Sequence, residues 1–339
     1  MLDDPSLWVF IIIIVLALGF GVVNGFNDAA NAIATVIGTR TLSPRNAIIL
    51  AAFFNLAGAA TGTAVAKTIG KGILIPEAIS FQTVIAALSA VIIWTTLATY
   101  RGLPVSLTHG FVAAMAAAGI AAAGTRAVDW TIMGRVASAV VSAPILGFIG
   151  GFILMILLIW IFRKSVPAKV RNLFSNSQIV SAAFMAYSHG KNDGQMPMGI
   201  MVMALVLFNN DPGLWERLSL FNTDTWWIII IAAFSISFGT TIGGWRVIKT
   251  IGMRVTTLRP VHGFAAQTAA ASVIEMASQI GIPVSTTHCI STSVMGVGAT
   301  RRLSAVRWGV AGNIMSAWIL TFPICGALGY LTSLLLGLL

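Results

Sequence analysis

Charge is what this sequence has least of. Only 9% of its 339 residues are charged, 57% are hydrophobic and the mean hydropathy is +0.92. A soluble domain carries about 25% charged residues, so a water-soluble globule is excluded. Disorder is excluded by the same lack of polarity. Cysteine is nearly absent: Cys289 and Cys325 both lie in apolar segments, which rules out a disulfide-stapled module. Acids are scarcer than bases, ten against twenty. The resulting +10 is no nucleic-acid signature, because the basic residues fall mostly between apolar runs, as in cytoplasmic loops and headgroup contacts. No GxSxG, HExxH, P-loop or CxxC pattern occurs, so no enzyme is expected. What remains is an all-α polytopic protein of the cell membrane. At about 20 residues per crossing, its length allows roughly ten to twelve membrane segments.

Apolar runs cover residues 8–23, 46–66, 81–100, 136–162, 179–186, 197–208, 226–243, 261–280 and 309–336. The first reads as a membrane segment and not as a cleaved leader, since Asp3 and Asp4 precede it in place of basic residues. Pro144 predicts a kink in 136–162, and 309–336 is long enough for one helix or two. Residues 103–124 and 282–298 differ from the rest. Each is rich in Ala, Gly, Ser and Thr, with Pro at its second position. They read as two re-entrant helical hairpins, which need protein or a water-filled cavity around them.

The chain also repeats itself. Gly25-Phe26-Asn27-Asp28 returns as Gly190-Lys191-Asn192-Asp193, 165 residues on. Leu103-Pro104-Val105-Ser106-Leu107-Thr108-His109 returns as Ile282-Pro283-Val284-Ser285-Thr286-Thr287-His288, 179 residues on. The approach to Asn27 starts from a tail without Lys or Arg, whereas that to Asn192 starts from a loop holding Arg163, Lys164, Lys169 and Arg171. Under the positive-inside rule the halves begin on opposite sides, an inverted-topology repeat of the kind secondary transporters use. The division expected is 1–162 for the first repeat, 163–178 for a basic cytoplasmic connector, and 179–339 for the second repeat.

Seven acids lie in tails or loops, leaving Asp28, Asp193 and Glu275 in apolar sequence. A carboxylate at the bilayer centre costs about 2.5–3.5 kcal/mol even on a lenient scale, so something compensates. Asp28 and Asp193 are repeat-equivalent and each follows an Asn; with freed carbonyls they are hard ligands suited to Na⁺. The alternative is a helix cap or a buried pair with a base such as Lys191. Glu275 can bind an ion or proton, or pair with a basic residue. The two Pro-Val-Ser elements read as helix starts, whose free N–H groups and partial positive charge bind anions such as phosphate. Ser106, Thr108, Ser285, Thr286 and Thr287 would add hydroxyl donors there, or would only cap and pack helices. His109 and His288 can meet an oxyanion, or hold the hairpin through a backbone carbonyl, which is the favoured reading. His189 matches Asn24 in the first half, which points to hydrogen bonding.

Gly25-Phe26-Asn27-Asp28-Ala29-Ala30-Asn31, His189-Gly190-Lys191-Asn192-Asp193-Gly194-Gln195 and the two Pro-Val-Ser-x-Thr-His elements resemble the inorganic phosphate transporter family, over nearly the whole chain. The resemblance implies secondary-active symport of inorganic phosphate without a cofactor, coupled to Na⁺ or to H⁺. It implies Na⁺ ligands at Asn27, Asp28, Asn31, Asn192 and Asp193. It implies phosphate contacts at Ser106, Thr108, Ser285, Thr286, Thr287, Asp28, Asp193, Asn192 and Gln195, with Glu275, His109 and His288 as further candidates. Two departures stand out. Leu107 occupies a position where the family usually has Thr, and Met196 stands opposite Asn31, with Gln195 beside it as a substitute. The expected partners are phosphate, Na⁺ and the lipid bilayer, with a homodimer possible through Gly147, Gly150 and Gly151 and no nucleic acid. Competing readings are proton-coupled or metal–phosphate symport, transport of another oxyanion such as sulfate, an anion channel, and a membrane-embedded enzyme.

Overall fold

Without water to satisfy its backbone, a chain this apolar must close its hydrogen bonds within helices. The computed structural model describes residues 5–338; Asp3 and Asp4, read above as tail acids, lie outside them. Among the described residues the only β pairing is an isolated antiparallel bridge, Leu74 to Val128. The first half runs through α1 (Pro5–Asn27), α2 (Ala29–Gly38), α3 (Pro44–Ala59), α4 (Ala64–Lys71), α5 (Phe81–Tyr100), α6 (Leu107–Ala123) and α7 (Trp130–Phe162). The second runs through α8 (Pro167–Asp193), α9 (Gln195–Asn209), α10 (Trp226–Ile242), α11 (Trp245–Lys249), α12 (Pro260–Gln279), α13 (Thr286–Ala299) and α14 (Trp308–Leu336). A π turn over Thr250–Arg254 follows α11.

Four helical stretches are long and apolar enough to cross a membrane alone, or six when each bent pair counts as one. The remaining helices are shorter or carry buried polar groups. Two of the apolar runs break. Residues 46–66 divide into α3 and α4, bent by 71° at Thr61-Gly62-Thr63, and the run from 226 bends by 65° at Gly243-Gly244. The basic connector is helical from Pro167, a residue suited to a first turn. Both α7 and α14 are single helices that run through Pro144 and Pro323.

The packing crosses between the halves. Helix α1 packs on α10 and α8 on α3; α4 packs on α9 and α11 on α2; α6 packs on α14 and α13 on α7. Each pairing is the repeat image of its partner. Two apolar cores result, one around Phe20, Leu88, Phe111 and Met201, the other around Met185, Val247, Ile290 and Val294, and both draw on both halves. The basic loops meet at one end: Arg246 stacks on Tyr100 beside Arg101, Arg301 reaches Thr257, Arg307 reaches the Arg254 carbonyl, and Arg163, Arg171 and Arg259 share a cavity. An end this rich in Lys and Arg is what the positive-inside rule expects on the cytoplasmic side. Asp211, Glu216 and Asp224 lie in the loop between α9 and α10, at the opposite end.

Candidate ion and anion site

Asn-Asp falls where each long helix is interrupted. Asp28 separates α1 from α2, and Asp193 closes α8 just before α9. The preceding glycines allow the approach. A Cβ on Gly25 would sit 2.1 Å from the Ile236 carbonyl oxygen, and one on Gly190 2.1 Å from that of Asn55. The two asparagines then hold the two hairpins by equivalent contacts. The Asn192 amide donates to the Val284 carbonyl at 2.7 Å, and its oxygen accepts from Val284 N–H and the Ser278 hydroxyl, each at 3.3 Å. With its oxygen toward the Thr99 hydroxyl, the Asn27 amide donates to the Val105 carbonyl at 3.2 Å and to Asp28 Oδ1 at 2.8 Å. Val105 and Val284, and Thr99 and Ser278, stand 179 residues apart, the hairpin repeat distance.

The hairpins therefore deliver their helix starts to the carboxylates. Ser106 caps α6 by accepting from His109 N–H at 3.3 Å, and Ser285 caps α13 from His288 N–H at 3.2 Å. Thr287 donates to Asp28 Oδ1 at 2.6 Å, and Thr286 to Asp193 Oδ2 at 3.2 Å. Adjacent in sequence, Thr286 and Thr287 thus bring the two carboxyl groups near one another at the start of α13. Asn31 donates to the Thr287 hydroxyl at 2.6 Å and to Asp28 at 3.4 Å. Asn24 and His189 Nε2 each stand 3.3 Å from Asp193 Oδ2. All these side chains are buried, and among the described residues no Lys or Arg pairs with either carboxylate. Among the described residues, the buried oxygens Asn24 Oδ1 and Asn31 Oδ1 have no donor. Two anionic groups and two spare amide oxygens form a donor set for a hard cation, beside two positive helix ends that suit an oxyanion.

The phosphate transporter family describes residues 24–329, which include both Asn-Asp elements and both hairpins. The chain belongs to the phosphate transporter family. Relatives named "Probable low-affinity inorganic phosphate transporter" include one from Bacillus subtilis, 41% identical over 99% of both chains. Another, from Rhizobium meliloti, is 40% identical over 92% of this chain and 91% of its own. A solved structure titled "The sodium-dependent phosphate transporter" matches with a TM-score of 0.88 and 26% identity, over 98% of this chain and 99% of its own. The chain is thus a multi-pass membrane transporter and not an enzyme.

Other candidate residues of the transporter lie around this network with different partners. Gln195 accepts from the Val65 and Ala66 N–H groups at 2.8 and 3.2 Å and donates to the Lys191 carbonyl at 2.7 Å, so it caps α4. Thr108 donates to the Met196 sulfur at 3.3 Å, which fills the position opposite Asn31. Glu275 forms an ion pair with Lys191 and accepts from Gln279 at 3.1 Å. His109 and His288 face each other with centroids 4.7 Å apart, stacked on Phe322 and Trp318, and their four ring nitrogens have no hydrogen-bond partner among the described residues. The expected carbonyl bond is therefore not made. Gly147 and Gly151 pack closely on Cys289 and Ser293 of α13, so that glycine face is filled within one chain.

Thr99 and Ser278 were missed by sequence reading; only their spacing could have flagged them. A further repeat was also missed. Lys67-Thr68-Ile69-Gly70 in α4 returns as Lys249-Thr250-Ile251-Gly252 across α11 and its π turn.

Proposed function

We propose that this transporter is a secondary-active symporter that imports inorganic phosphate across the cell membrane with Na⁺. The reading rests on one observation above all: Asp28 and Asp193 are bound by the adjacent Thr286 and Thr287, buried and without a Lys or Arg partner among the described residues, where the hairpins begin their helices. Asp28, Asp193, Asn27, Asn31 and Asn192 would hold the cations. The starts of α6 and α13, with Ser106, Thr108, Ser285, Thr286 and Thr287, would hold the phosphate. Coupling follows from charge. An oxyanion about 4 Å from one carboxylate, at an effective dielectric of about 20, is repelled by roughly 4 kcal/mol. Cations bound first remove that repulsion, so phosphate binds well only in their company. Each half, 1–162 and 179–339, would supply one hairpin, and rocking of one set of helices against the other would open the site to each side in turn.

Proton coupling is the second reading, and the surroundings of His189 favour it. Thr240 donates its hydroxyl to the Ile236 carbonyl and so accepts from Asn55 Nδ2 at 3.0 Å. Asn55 Oδ1 then receives Nδ1–H of His189 at 2.8 Å. This leaves Nε2 as a lone pair facing Asp193, an arrangement that one proton completes.

The test is uptake of labelled phosphate into proteoliposomes under a Na⁺ gradient or a proton gradient alone. Uphill uptake with Na⁺ only supports the first reading, and with protons only the second. Uptake that merely equilibrates under both refutes symport. Sulfate in equal excess should leave uptake intact; strong inhibition would move the substrate to another oxyanion.

A further inference from the structure

The repeated Lys-Thr-Ile-Gly segments lie on opposite faces of the molecule, each against the tip of a hairpin from the other half. Gly281, at the tip of the α12–α13 hairpin, has φ +72°, and a Cβ there would sit 3.1 Å from the Ala64 carbonyl in α4. Gly102, at the tip of the α5–α6 hairpin, has φ +74°, and its Cβ would meet that of Arg246 at 3.0 Å. Only glycine adopts these backbone angles without strain while approaching so closely.

The charges on the two faces differ. On the outer face Lys67 and Lys71 both hold the Glu216 carboxylate, at 3.1 and 3.0 Å. The protein supplies its own anion there. On the inner face Arg101, Arg246, Lys249 and Arg254 surround a cavity of about 350 Å³ with Gly102. No acid lines it, and no ion pair among the described residues uses any of these four bases. The cavity is also fixed in shape. Arg246 lies 4.4 Å over the Tyr100 ring and bonds the Tyr100 carbonyl, and Thr250 donates to the Gly102 carbonyl at 3.1 Å. Four cations within about one Debye length repel one another unless an anion joins them. Guanidinium forks match the oxygens of a phosphate group.

We propose that this inner cavity is a second binding site, for a phosphate group, distinct from the central one. Arg101 comes from the first half and the other three bases from the second. The occupant ties the hairpin tip to α11 and the π turn, as Glu216 joins Lys67 to Lys71 outside. Two sources supply such a group, free phosphate released inside and an anionic lipid headgroup, and the geometry is common to both. The proposal builds on phosphate being the transported anion only for the first source.

The test uses the full chain in nanodiscs. Labelled inorganic phosphate is titrated against the wild-type protein in phosphatidylcholine discs without Na⁺, where the two central carboxylates repel phosphate and leave the central site empty. One saturable site should remain, and Lys249→Gln should weaken it about tenfold, as expected for one lost charge-assisted contact. Lys249→Arg should keep it, and Arg302→Gln, in a separate basic cavity, should not change it. In discs containing phosphatidylglycerol, a lipid occupant appears as weakened phosphate binding and as retained phosphatidylglycerol that falls in Lys249→Gln. Lys249 makes no side-chain hydrogen bond or ion pair among the described residues, so this substitution leaves the fold intact. If Lys249→Gln changes neither phosphate binding nor retained lipid, the inner site is refuted. If adding Na⁺ brings no second bound phosphate, the Na⁺-coupled central assignment fails instead.

Discussion

Thr287 donates its hydroxyl to Asp28 at 2.6 Å across 259 residues of sequence, joining the second hairpin to the helix break of the first half. Asn31 reaches the same hydroxyl at 2.6 Å, so Thr287 also organises the amide beside the carboxylate. Thr287→Val keeps the shape and removes the donor. It leaves a buried carboxylate oxygen short of one partner, worth about 1–3 kcal/mol. Phosphate uptake should fall about tenfold or more with the apparent cation requirement altered, while the protein still purifies as a monodisperse species. Unchanged cation dependence in uptake assays would remove Thr287 from the site.

Asn27 and Asn192 hold the hairpins by equivalent bonds to Val105 and Val284. Asn192→Ala strips the Val284 carbonyl and N–H of their shared partner, a loss of about 1–3 kcal/mol. The melting temperature in detergent should drop, and Asn27→Ala should behave alike. An Asn192→Ala protein with wild-type melting would show that the hairpin is held by packing alone.

Gly25 and Gly190 are expected to tolerate no side chain. An added Cβ would stand 2.1 Å from a backbone carbonyl oxygen on α10 or α3, and a backbone cannot step aside as a flexible side chain does. Gly25→Ala and Gly190→Ala should each lower the yield of folded protein, whereas Gly309→Ala, with open space around it, should not. Expression followed by size-exclusion chromatography checks this directly.

Glu216 sets a pH-dependent contact with α4. Hydrogen bonds from Lys71 and Lys67, and their charges, hold its carboxyl below its ordinary value of 4.5. A depressed carboxyl contributes its contact above the ordinary range and loses it as pH falls through the lowered value. The loop from Asp211 to Asp224 should therefore stay protected from an acid-tolerant protease at neutral pH and become cleavable only below the ordinary carboxylate range. Glu216→Gln should make it cleavable at pH 7. Equal cleavage of wild type and variant at pH 7 would sever this loop from Lys67 and Lys71.

Much of the molecule was determined by sequence alone. Scarce charge and long apolar runs dictate membrane helices, because a backbone in lipid must satisfy itself. Duplication of Asn-Asp and Pro-Val-Ser-x-Thr-His at fixed spacings marked Asp28, Asp193 and both hairpin helix starts, since such costly or helix-starting residues recur only for a reason. Partner choice was decided elsewhere. Whether Gln195 faced the carboxylates or the amides of α4, whether Glu275 bound an ion or Lys191, and whether the α7 glycines met another chain or α13 all turned on contacts between segments far apart in sequence. Periodicity says which residues share a helix face. Which helix lies opposite follows from how the two halves cross, and only the tertiary structure carries that information.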